Sequence, residues 1–376
     1  MALRHVPILK AKKGEFDALA HTQESTARRM MPLFEVGPLT ESIMERGYIS
    51  RSSTPRITYL ERTAEKIALA WPSRPAMADC YFWQPDATTE QGEHIMAHLI
   101  GSLERLGVPV VPVIGYDRWQ HPVYRAGLSG ITVPGDRSFC IRLDNDALED
   151  SADPEFFQET ISGMLDELDL LPSRCFVLLD FGDVTGVAVA DLVAIAGRTV
   201  RQLAGLGFGR FITAGCSIPR TINLAVEEQD STAMVIRREY LLWQALRAEL
   251  PGVSLVYGDY AVRGPNTNDD IRSKFTNGKI RHTTANQTFV VRGHPFVNDG
   301  SYLQMHALAD EIVRSRHYLG PTFSWGDERI HACHTRAFVG STTNWISIDT
   351  NHHLAYVVQE VEEFERSVTA QRERVR

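Results

Sequence analysis

The chain has 376 residues, 43% of them hydrophobic and 23% charged, and a net charge of −8 at pH 7. That composition excludes a largely disordered, collagen-like or coiled-coil protein. The acidic balance, with a pI near 5.9, argues against coating nucleic acid through bulk charge. The longest apolar runs fall far short of the roughly 20 residues a membrane span needs, so no membrane partner is expected.

Five cysteines are scattered without a CxxC pair, and four sit in strongly apolar stretches. An odd, dispersed set reads as reduced, buried thiols. The opening MALRHVPILKAKKGEF lacks an apolar segment followed by a small-residue cleavage site. A cytoplasmic location is the expectation.

Short apolar runs recur along the first 262 residues. They are residues 5–10 (HVPILK), 31–37 (MPLFEVG), 79–84 (DCYFWQ), 108–116 (VPVVPVIGY), 138–144 (SFCIRLD), 175–182 (CFVLLDFG), 210–217 (RFITAGCS) and 253–260 (VSLVYGDY). Near-continuous apolar runs of this length suit parallel strands buried on both faces. Helical patterns lie between them, at residues 88–106, 153–169, 187–206 and 222–250, the last with a break near 229–231. Asp153-Pro154 is a cap and first-turn pairing, and Gly107 stops the helix before it.

Repeated strand and helix predict a closed barrel or an open doubly wound sheet. Eight repeats match a (β/α)8 barrel of about 250 residues, and no Gly-rich phosphate turn follows the first strand as an open sheet would favour. The expected fold is therefore α/β: a (β/α)8 TIM-type barrel over residues 1–262, with an α+β extension over residues 263–376 packed on it. In that extension, residues 280–283 and 288–293 flank Thr284-Ala-Asn-Gln as a β-hairpin. Helices follow at residues 303–314 and from about 351 to 374.

A (β/α)8 barrel places its site at the C-terminal ends of the strands. Polar residues ending the apolar runs are therefore the candidates. They include Lys10, Glu35, Gln84, Asp86, Arg142, Asp144, Asp180, Asp259 and Tyr260. Lysine and arginine suit an anionic group, and carboxylates suit acid–base work. Lys10 and Glu35 end neighbouring strands, so they are expected either to pair or to form a tuned acid or base.

His331-Ala-Cys333-His334 and Asn351-His352-His353 look like ligand clusters but lack a second ligand pair at zinc-finger spacing. Adjacent His352 and His353 point to different faces of a helix, and Asn351 reads as its cap. No metal is assigned, and no cofactor is identified. GxSxG, GxxxxGK[ST], HExxH and GxGxxG are absent.

The segments VPILKAKKGEFDAL, PLFEV, YGDYAV, IRHTTANQTFVVRG, FSWGDERI and TTNWISIDTNHHLAYVV resemble the prokaryotic and phage-associated Beta protein family. The similarity spans both ends of the chain. It implies a bacterial or phage setting, plausibly anti-phage defence, and no settled activity. The matching segments add Arg281, Arg292, Trp325 and Asp327 to the residues expected at the ligand, as a cover closing over the barrel.

Two functional classes follow. One is an enzyme or sensor that takes a small anionic, nucleotide- or phosphoester-like ligand at the barrel mouth. Its catalytic residues would be Glu35, Asp180 and Asp259, and its ligand-binding residues Lys10, Arg142, Asp144, Tyr260, Arg281, Arg292, Trp325 and Asp327. The other is a non-catalytic partner or scaffold subunit of a defence or mobile-element complex, bound to the product of a neighbouring gene.

Overall fold

The computed structural model describes residues 2–131, 137–265, 276–299 and 302–375. Eleven strands are described: β1 (His5–Lys10), β2 (Leu33–Glu35), β3 (Ala76–Asp79), β4 (Val110–Gly115), β5 (Cys140–Leu143), β6 (Phe176–Asp183), β7 (Arg210–Cys216), β8 (Ser231–Ile236), β9 (Ser254–Asp259), β10 (Asn277–Thr284) and β11 (Gln287–Pro295). Strands β1 to β7 and β9 close a barrel, each paired in parallel with its neighbours. Closure is made by β9 on β1, through His5↔Tyr257 and Pro7↔Asp259. The expected (β/α)8 barrel is therefore the fold.

Alternation along each strand sorts its side chains. Val6, Ile8, Leu33, Met77, Val111, Val113, Cys140, Leu178, Ile212 and Ala214 form one buried cluster that fills the interior. Their neighbours Leu9, Phe34, Ala78, Ile114, Ile141, Leu179 and Phe211 belong to a second cluster, shared with the surrounding helices. Burial on both faces is why the strands read as unbroken apolar runs.

Three expectations along the barrel change. The helix expected over residues 88–106 is Ile95–Arg105, since residues 88–94 form a turn closed by a Thr88–His94 bridge. The third strand ends at Asp79, where residues 79–84 were expected to form it. Tyr81, Phe82 and Trp83 have strand-forming side chains but lie in the turn that follows. The helix expected over residues 222–250 is a short turn of helix at Ile222–Ala225, then β8, then a helix at Arg238–Glu249. Strand β8 leaves the barrel and pairs antiparallel with β11, which pairs with β10. The hairpin turn is Ala285-Asn286, with Asn286 in the left-handed region at φ 57°. A segment from between two barrel strands thus completes the sheet of the extension.

The last helix, Thr342–Val375, starts nine residues before the expected position 351. It packs on the helix Lys13–Ala20. On the side of Arg238–Glu249, Phe364 meets Trp243 with ring centroids 5.1 Å apart, and Arg247 pairs with Glu365 at 2.7 Å. It occupies the place of the eighth helix, reached after the excursion through the small sheet. All five cysteines are free and buried, and no helix among the described residues is long and apolar enough to cross a membrane.

Two glycines give opposite predictions. Gly326, in the helix Trp325–His334, lies against the last helix. A Cβ there would overlap the Ile348 carbonyl oxygen and stand 2.9 Å from the His352 nitrogen, both backbone atoms that cannot swing away. Gly326→Ala is expected to cost about 2–3 kcal/mol. Gly163 is exposed within the helix Pro154–Glu167, and its Cβ would meet nothing within 4 Å. Gly163→Ala should stabilise by about 0.5–1 kcal/mol. Urea denaturation measures both, and equal effects would refute the contrast.

Candidate functional site

The interior positions nearest the C-terminal ends of the strands are Lys10 (β1), Glu35 (β2), Asp79 (β3), Gly115 (β4), Arg142 (β5), Asp180 (β6) and, just past β9, Tyr260. The apolar interior is thus capped by an ionic layer. Arg142 is its centre and is 1% exposed. Its Nη1 donates to Asp79 Oδ2 at 2.9 Å and its Nε to Asp180 Oδ2 at 2.9 Å. Its Nη2 faces Glu35 Oε1 at 2.7 Å, Asp180 Oδ2 at 2.6 Å and the Tyr260 hydroxyl at 2.8 Å. The Tyr260 hydroxyl donates in turn to Asp180 at 2.7 Å. The Tyr81 ring covers the guanidinium with its centroid 4.1 Å away.

Gly115 explains how a second arginine enters. A side chain there would run into the Arg118 guanidinium, so the missing Cβ leaves the space that Arg118 fills from the following loop. Arg118 Nη1 reaches Asp79 Oδ1 at 2.9 Å. Burial would push Asp79 up, but Arg118 and Arg142 together hold it below the usual carboxylate range. Glu35 goes the other way: burial raises it against the pull of Arg142. Its Oε2 is buried and has no hydrogen-bond partner among the described residues.

Above this layer the charge turns positive. Lys10 stands opposite Glu35 in the β1–β2 register. Burial and then the neighbouring Arg263 push its amine down to about 8. Lys279 on β10 is also pushed down to about 8, by burial, Arg281 and Arg263. Its amine makes no hydrogen bond or ion pair among the described residues. Arg263 bonds Glu15 at 3.0 Å. A narrow crevice here is lined by Lys10, Glu15, Tyr260, Arg263 and, from the last helix, Thr350.

Of the residues expected at a site, Glu35, Arg142, Asp180 and Tyr260 meet directly, with Lys10 beside them. Asp144 caps the helix Asn145–Asp150 by accepting from the Ala147 nitrogen, and burial pushes its carboxyl up to about 6. Gln84 and Asp86 are exposed in the loop after β3. Asp259 is one residue before Tyr260 and therefore faces outward. It accepts from His5 at 3.0 Å and meets His353 Nε2 at 2.9 Å, beneath the last helix.

The tail residues are each engaged elsewhere. Arg281 holds Asp349 at 3.0 Å and donates to the Val262 carbonyl, and Arg292 donates to the carbonyls of Val226 and Glu227. Trp325 stacks on His21 of the barrel at 4.2 Å between centroids, on the wall of an open cleft of about 500 Å³. Asp327 is fully buried and bonds His352 and Ser324 at 2.8 and 2.6 Å. Asn351 sits in mid-helix and caps nothing there: it accepts from the Gly326 nitrogen and donates to the Ala18 carbonyl.

Asp79, Arg118 and Lys279 join the site without having been expected. Asp79 was legible as a charge ending an apolar run, once that run is placed at residues 76–79. Arg118 comes from a loop and carries no periodic signal. Among the described residues, two groups could hold a cation: His5, Asp259 and His353, and His282, Asp327 and His352. His331 and Cys333 belong to neither. His334 pairs with Asp310 at 2.6 Å.

These features define a (β/α)8 barrel protein with an ionic, strand-end mouth. The family model described as Beta protein matches residues 5–359, and the chain belongs to that family. No curated protein matches the sequence.

If Arg142 balances the mouth, removing it strands Glu35 and Asp180, while Asp79 keeps Arg118. Arg142→Met is expected to cost about 3–5 kcal/mol at pH 7.5. The stranded carboxyls would take raised pKa values, so the folded variant binds more protons than the unfolded chain and regains stability as pH falls. Urea denaturation at pH 7.5 and 5.5 tests this. A deficit that does not shrink at the lower pH would contradict it.

Proposed function

We propose that this protein binds a small anionic, nucleotide- or phosphoester-like ligand at the barrel mouth. The observation that carries the reading is that two buried lysines, Lys10 above the acidic layer and Lys279 on β10, both lie in the field of Arg263. A cluster of basic side chains suits an anion, and charge-assisted hydrogen bonds to phosphate oxygens are among the strongest contacts it could offer. The unpartnered Oε2 of Glu35 gives the ligand a second contact, to a hydroxyl or N–H. With its raised pKa, Glu35 is the group suited to exchange a proton with that ligand. Asp180, held by Arg142 and Tyr260, orients the layer. A cytoplasmic role in anti-phage defence fits the family resemblance and the free cysteines.

A second reading is favoured by one observation: every donor of Arg142 already meets a protein acceptor, and the crevice is narrow. On that reading the mouth is a structural plug and the barrel a scaffold for a protein partner.

Thermal shift against nucleotides, sugar phosphates and inorganic phosphate separates the two. A binder should raise the melting temperature, by an amount that grows with the logarithm of its concentration over Kd. Lys279→Met and Lys10→Met should each weaken it roughly tenfold, about 1.4 kcal/mol. Affinity should fall as pH rises from 7 to 9.5, because both amines lose their protons near 8. No shift from any of these compounds, together with stable co-purification of a partner protein, would favour the scaffold.

A further inference from the structure

Among the described residues, most buried carboxylates face arginine, Glu239 meets the Ser217 hydroxyl, and two others stand apart. Glu35, Asp79 and Asp180 face arginine, as does Asp349. The ion pairs of Asp259 and Asp327 are with histidines alone among the described residues, beside hydrogen bonds from the Ala261 nitrogen and the Ser324 hydroxyl. Buried charges in proteins are held by a permanent opposite charge or coordinate metals.

The two exceptions differ in geometry. His282 and His352 stack almost parallel, with centroids 3.7 Å apart and planes at 16°. Imidazole lone pairs lie in the ring plane, so rings stacked this way cannot both aim at one ion. His282 Nε2 is also turned to the His317 carbonyl. That group does not chelate.

His5, Asp259 and His353 are arranged differently. Their rings are 5.9 Å apart between centroids and tilted by 60°. The Nε2 atoms meet Asp259 at 3.0 and 2.9 Å, and all the ligand atoms lie within 4.8 Å of one another. Ligands of a tetrahedral zinc ion, each at about 2.0–2.2 Å, stand about 3.3 Å apart, so each of the two histidine–carboxylate contacts lies within a few tenths of an ångström of that spacing. The Nδ1 of His353 is held by the Thr283 hydroxyl at 2.8 Å, the kind of outer contact that aims a ligating imidazole.

From this we propose that His5, Asp259 and His353 form a structural site for a divalent transition-metal ion, zinc foremost, between the barrel and its last helix. The ligands come from the first strand, the last barrel strand and the C-terminal helix. An ion here would therefore tie the closure of the barrel to the docking of its eighth helix. The site is separate from the mouth, because Asp259 faces away from the interior.

The test uses the full chain, made without a histidine tag or chelator in zinc-supplemented medium. Mass spectrometry of the elements should find about one zinc per chain, and the stripped protein should give visible absorption bands with Co²⁺. Asp259→Asn and His353→Gln should each lower the zinc content at least roughly tenfold, while Asp327→Asn should leave it unchanged. Should the first two variants fail to fold, His5→Gln and the wild-type stoichiometry decide. A folded wild-type chain without metal and without a Co²⁺ signal overturns the proposal. Full zinc retention by Asp259→Asn and His353→Gln would do the same.

Discussion

A guanidinium in a dry barrel is the constraint from which the rest of the interior follows. Arg142 projects inward near the C-terminal end of β5, where water cannot reach it, so its charge has to be answered by side chains within reach. Those come from β2, β3 and β6 and from the residue after β9. One side chain thus ties five of the eight staves. A shift of one residue in any of those strands would turn its carboxylate outward and leave Arg142 unmatched. Such a network adds little net stability over an apolar plug of the same volume. What it does provide is a definite register, and a polar surface where the barrel opens.

The outer face uses the same logic with different chemistry. Within the last helix, Asp349, Asn351, His352 and His353 reach four separate targets: Arg281, the Gly326 and Ala18 backbones, Asp327, and Asp259. Successive helical residues point about 100° apart, so one turn can fasten the hairpin, the helix Trp325–His334 and the barrel at once. This is why the eighth helix can sit in the ring although the chain between it and β9 wanders through a separate sheet. Strand β8 makes the same join in the other direction, since it lends the extension an edge from within the barrel's own stretch of sequence.

Most of this architecture was legible in the residues. Strands buried on both faces announce themselves as short apolar runs, and seven of the eight staves were found that way, the third being placed too far along. Strand β8 was not, because STAMVI alternates between half-buried and exposed positions at the edge of its sheet and sits between two helical patterns. The aromatic run at residues 81–83 drew the third strand too far along, and with it hid Asp79. The mouth was readable where a charge closes an apolar run, as at Glu35, Arg142 and Asp180. Counting parity along β9 separates Asp259 from Tyr260, since Val256 and Tyr260 lie inside and Tyr257 outside. Arg118 and Lys279 could not be found so: a loop arginine and a lysine on another sheet reach the site only through tertiary folding.

The family marks divide along the same line. TNHHL and FSWGD lie where the last helix, the helix Trp325–His334 and the hairpin lock together, and Asn351, His352, Ser324 and Asp327 are engaged there, while His353 reaches Asp259 of the barrel. Likeness in those segments therefore speaks for how the tail is fastened, whatever the protein does. VPILK, PLFEV and YGDYAV are different, because they place Lys10, Glu35 and Tyr260 on the inner surface at the mouth. The Tyr260 hydroxyl bonds Arg142 and Asp180, which an apolar side chain of the same size could not do. Glu35 meets Arg142 with one oxygen and leaves the other without a partner among the described residues. The side chains that open on the mouth therefore come from the first two strands and the residue after β9, and His353 of the tail lies on the barrel's outer face.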